Sequence, residues 1–81
     1  MPPRSELPGT IHRKTFIRAL MRLGFIIDES GGDGSHCKAT WPPTQKCIII
    51  QQRLDKDVLY YILKEIETHS GITWDDIKNK L

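Results

Sequence analysis

His36 is the residue in this chain best suited to chemistry. It follows Gly34 and Ser35 and opens the stretch His36 to Trp41, in which polar and apolar residues alternate. A solvent-facing imidazole exchanges protons near neutral pH, and in an extended strand Lys38 and Thr40 would share its face. Cleavage of RNA needs groups of this kind. A base removes the 2′-hydroxyl proton, an acid protonates the leaving oxygen, and no metal ion is required. Gly34 allows backbone to come close to a phosphate. Taken from type and position alone, a lone histidine is more often a plain surface residue, so both readings of His36 stand at this point.

Other residues could support such a site. Lys14, Arg18 and Arg22 recur every four residues and form a basic row along one helix face. Such a row can hold phosphates by displacing counterions, or can simply be a solvated face. Lys38, Lys46 and Arg53 could flank a scissile phosphate. Trp41 and Trp74 could stack on bases, although packing is the commoner role of tryptophan. Asp33 could orient His36 or bond its own loop. His12 and His69 have no evident partners and read as inert. Cys37 falls on the apolar side of the alternation, away from any base that would activate it, which argues against a nucleophilic role. No His/Cys/Asp cluster has ligand spacing, so neither a metal nor another cofactor is expected.

The elements that must position these residues can be read from periodicity. Residues 1–9 carry three of the five prolines and few apolar residues, and read as a disordered leader ahead of a single domain over 10–81. Thr10 is a candidate helix N-cap, Ile11 to Leu23 recur at helical spacing, and Gly24 is the expected left-handed stop. Phe25-Ile26-Ile27 reads as a first strand, Ser30 to Gly34 as a loop, His36–Trp41 as a second strand and Lys46–Gln51 as a third. Pro42-Pro43-Thr44 is the turn between the last two. Setting Trp41 opposite Lys46 puts Cys37 opposite Ile50, too far from Cys47 for a disulfide, so free thiols are expected. Asp55 can cap a second helix with an apolar face of Val58, Leu59, Ile62, Leu63 and Ile66, ended by Gly71. Thr73-Trp74-Asp75-Asp76 resembles a capping box that opens a short third helix. The order implies an α+β fold: a three-stranded antiparallel sheet, two helices on one face, and a short C-terminal helix.

This arrangement resembles the HicA family of mRNA interferases. The likeness rests on the helix Phe16 to Leu23, then Gly24-Phe25 and a short strand, then Gly34-Ser35-His36 entering the next strand. Pro42 falls in the hairpin turn, and Leu54 with Leu59-Tyr60-Tyr61-Ile62-Leu63-Lys64 resembles the family's closing segment. The likeness covers about Thr15 to Lys64; Cys37 and Lys38 stand where many members carry a second histidine or an aromatic, and Thr68–Leu81 is an added tail. The resemblance implies an α-β-β-β-α fold like that of double-stranded-RNA-binding domains. It also implies a toxin that cleaves mRNA with His36 as its catalytic residue and a HicB-like antitoxin protein that covers the site. Gly34 and Ser35 by their place in the motif, and Lys38 by its shared strand face, would contact the RNA beside it. A non-catalytic RNA-binding module or a protein-interaction domain of the same fold are the alternatives.

The bulk properties fit a shallow surface site. At 81 residues the chain can bury only a thin core, with little room for an enclosed pocket. The formal charge of +2 hides a polarity. Up to Ile27 there are five basic residues and one acid, and from Leu54 onward four lysines and six acids. A basic front suits a phosphate-bearing partner such as RNA. No apolar run is long enough for a membrane span, and Met1 to Gly9 lacks the apolar core of a signal peptide, so a cytoplasmic protein is expected, monomeric when free.

Overall fold

In a computed structural model of the chain, the structure describes residues 2–29 and 36–81, the side chain of His36 excepted. The elements are a 3-10 turn at Arg4–Glu6, β1 (Thr10–Ile11), α1 (Arg13–Arg22), β2 (Ile26–Asp28), β3 (His36–Trp41), β4 (Lys46–Gln51), β5 (Leu54–Asp55), α2 (Lys56–Ser70) and α3 (Trp74–Lys78).

The sheet β2-β3-β4 is antiparallel throughout. Trp41 pairs with Lys46 and Cys37 with Ile50, the register expected from the alternation, and both cysteines are free. Cys37, Ala39, Ile48 and Ile50 are buried on one face of the sheet. They meet Phe16, Ile17, Leu20, Leu59, Leu63 and Ile66 from α1 and α2 in one core cluster. The layout is therefore the α+β arrangement anticipated, with a short third helix whose Trp74 and Ile77 are also buried.

The helix boundaries have local causes. The Asp55 carboxylate accepts from the Val58 N–H at 3.0 Å, which satisfies a free donor of the first turn of α2. Gly71 ends that helix at φ 77 and Gly24 follows α1 at φ 108, both left-handed positions that glycine tolerates best. At Gly24 a Cβ would only touch the Trp41 ring, 3.5 Å away, so it is the backbone angle and not lack of space that calls for glycine. Thr73 and Asp76 form a reciprocal capping box at the start of α3.

Three parts differ from the sequence reading. Thr10 is not a helix cap: Thr10 and Ile11 are extended and pair with Asp55 and Leu54, forming a second, two-stranded sheet. Helix α1 starts only at Arg13, with His12 in the cap position and no side-chain bond there. The first sheet strand is Ile26–Asp28, because Phe25 turns into the core and rests against Trp41, ring centroids 4.9 Å apart. Finally, the segment read as a disordered leader contributes to the fold over Arg4–Leu7. Leu7 is 4% exposed within the core cluster, and Arg4 lies over the Tyr60 ring and pairs with Asp57 at 3.3 Å. Its low apolar content hid one well-placed leucine and one arginine.

Candidate nucleic-acid interface

The sheet face away from the helices is open. Its register defines three rows: Ile26, Thr40 and Cys47; Asp28, Lys38 and Ile49; and His36 with Gln51. Lys38, Asp28, Ile26, Ile49 and Gln51 are exposed. Alternate residues of a strand recur about 7 Å apart, so the backbone of His36 stands one such step from that of Lys38. The face mixes a cation, an anion, hydroxyl and amide groups with two exposed isoleucines. That composition suits contact with a flat polar surface better than enclosure of a small molecule. Thr40 Oγ1 and Cys47 Sγ approach to 3.3 Å and tie the first row together.

Gly34 and Ser35, expected beside the imidazole, and Asp33, read as bonding its own loop or orienting His36, lie outside the described residues. The chain leaves the described part at Glu29 and returns at His36. Glu29 lines a shallow groove of about 270 Å³ together with Lys14, Ile17, Arg18 and Met21. The first two members of the basic row therefore stand at the root of the glycine-rich segment that leads into His36. This follows from the packing of α1 against β2, which sequence spacing could not reveal.

The third member of the row is used otherwise. Arg22 donates from its guanidinium to the Lys80 carbonyl, where the last turn of α3 leaves acceptors unpaired. α1 and α3 are neighbours, so Arg22 closes the end of the added tail. Lys14 and Arg18 remain exposed on the same face.

Arg13 was not among the residues singled out from the sequence. It falls one residue outside the four-residue repeat but on the side of α1 that turns toward the sheet. Its charge reaches Cys37, next to His36, as do those of Glu29 and Asp28. Burial pushes the Cys37 thiol up, the two acids push it further, and Arg13 opposes them. A fully buried thiol held neutral is a poor nucleophile, in line with the argument against Cys37 chemistry. The start of β3 is thus surrounded by charges of both signs.

Lys46 and Arg53 are exposed near the other edge of the sheet, off the His36–Lys38 rows. Trp74 is buried and Trp41 is half-buried against Phe25, so both act in packing. No helix among the described residues is long and apolar enough to cross a membrane. Comparison with protein-family models, with curated proteins and with solved structures returns no match.

Proposed function

We propose that the protein is a metal-independent endoribonuclease of the toxin type, cutting mRNA with His36 as general acid and base. The observation that carries this reading is an open sheet face on which the exposed Lys38 stands two positions along β3 from His36, the residue that opens the strand. The resemblance to HicA toxins in that motif and in the order of elements supports it further. In such a reaction the 2′-oxygen bonds to phosphorus, the 5′-oxygen leaves, and one imidazole serves both proton transfers in turn. Lys38 would offset charge that builds on the phosphoryl oxygens. Lys14 and Arg18 would hold the strand upstream or downstream of the cut, and the backbone at Gly34 and Ser35 would receive the phosphate. A cytoplasmic protein of this kind requires a neutralising partner, and a HicB-like antitoxin covering the His36 face is the partner this reading assigns.

The test is cleavage of a long RNA by purified wild type and His36→Ala, in the presence of EDTA, beside a growth assay on expression. Wild type should cut and arrest growth with chelator present; the variant should be folded and do neither. Equal cutting by the variant would remove His36 from the mechanism. RNA binding without cutting by the wild type would leave a binding module of the same fold.

A further inference from the structure

We infer that the outer edge of β4 is a self-association surface, through which two copies of this chain pair antiparallel and join their sheets. The observation is a groove of about 530 Å³ lined by Cys47, Ile49 and Gln51 of β4 and by Asp57, Tyr61 and Glu65 among the residues of α2. Cys47, Ile49 and Gln51 belong to the open face, whereas α2 lies under the opposite one. β3 fills one edge of β4, so a cavity bordered by both sets of side chains runs along the other edge.

That edge is unusually bare. Strand edges carry unpaired N–H and C=O groups and are ordinarily blunted by short length, inward charges, proline or a bulge. β2, at the opposite side of the sheet, has three residues. β4 has six, and Cys47-Ile48-Ile49-Ile50 contains neither charge nor proline. Ile49 is 46% exposed and Tyr61 59%, both bordering the groove. An extended strand is the shape that satisfies such an edge.

Charge identifies the strand as a second β4. The groove wall formed by α2 is acidic at its ends, Asp57 and Glu65, and apolar between, at Val58, Tyr61 and Ile62. β4 itself opens with a cation, Lys46, and a second, Arg53, follows just after its end, with an uncharged stretch between them. A strand of this composition matches that wall, and a two-fold axis lets each copy supply both halves of the match. Two registers that match open face to open face each pair five residues of β4, and the one centred on the exposed Ile49 rather than the buried Ile48 sets Ile49 against its twin and Cys47 against Gln51 of the other copy. Each Lys46 then approaches the end of the groove where the other copy's Asp57 stands. The joined sheet has six strands, and both His36 positions lie on one continuous face. This pairing stands independently of the nuclease reading and replaces the free monomer expected from the sequence.

The experiment is sedimentation of the full chain over a wide concentration range in reducing buffer, with two variants whose fold is checked by circular dichroism. Wild type should show a reversible monomer–dimer equilibrium. Ile49→Asp, at an exposed position, should weaken it roughly tenfold or more, because like charges then meet directly across the axis. In a Cys47→Ser background, Ile49→Cys should give a disulfide-linked dimer on mild oxidation. Cys47 in the wild type should not, since the register holds it about 13 Å from its twin. A wild type that stays monomeric at millimolar concentration overturns the inference. So does a dimer that survives Ile49→Asp unchanged, or one that cross-links through Cys47 and not through position 49.

Discussion

The residues that define the candidate site differ in how far their neighbours constrain them. Arg22 looks identical to Lys14 and Arg18 in spacing, yet its guanidinium serves the Lys80 carbonyl. Replacing Lys14 and Arg18 by Gln should therefore flatten the salt dependence of RNA binding, by up to ~0.7 log unit per lost contact with a single strand. Arg22→Gln should leave that slope nearly unchanged and instead loosen the C-terminal turn, seen as faster amide exchange over 74–81. Equal slopes for all three positions would mean that the whole row binds phosphate. The cysteines divide in the same way. Cys47 is exposed and Cys37 buried, so a thiol reagent should modify Cys47 in the native protein and Cys37 only on unfolding. Because burial raises the Cys37 thiol above its ordinary value of 9.0, the fold favours the neutral form. The stability this contributes is complete below that value and is lost as pH rises toward the folded-state value. Unfolding midpoints followed from pH 8 upward should fall less steeply in Cys37→Ala than in the wild type.

Among the elements, the helix termini were the most legible and the N-terminal boundary the least. Asp55, Gly71, Gly24 and the Thr73–Asp76 box act through bonds and dihedral angles within a few residues of themselves, and local chemistry is what a sequence displays. Asp55→Ala should cost about 1 kcal/mol by urea unfolding, as for the loss of other side-chain caps, with no change in the denaturant slope. No loss would mean that water replaces the carboxylate at the Val58 N–H. Thr10 has the type of a cap but is claimed by a pairing with Asp55, forty-five positions away in sequence, which favours extended backbone. The β3–β4 hairpin was legible to the register, because its alternation, its proline turn and its apolar third strand agree with one another.

At the scale of the whole molecule, the core is thin and draws on the N-terminal segment. Leu7→Ala should cost about 2–4 kcal/mol in the same urea measurement, the range for a buried leucine. Removal of residues 1–9 should cost at least as much, since Arg4 and its contacts to Tyr60 and Asp57 go too. An unchanged midpoint would mean that the segment adds nothing to the stability of the fold. By itself the sequence determined the order of the helices and of the three-stranded sheet, the register of the β3–β4 hairpin, the caps and stops at Asp55, Gly71, Gly24 and Thr73, and the choice of His36 and Lys38 as candidates. Each of these rests on period, on turn chemistry or on a short motif, all of which are local. Tertiary structure decided which basic residues stay free, that Arg13 and Glu29 reach the start of β3, that Leu7 joins the core, and that the edge of β4 faces a groove with acidic ends. Those facts depend on the distance between segments far apart in the chain, and packing sets that distance through the fit of α1 and α2 to one face of the sheet.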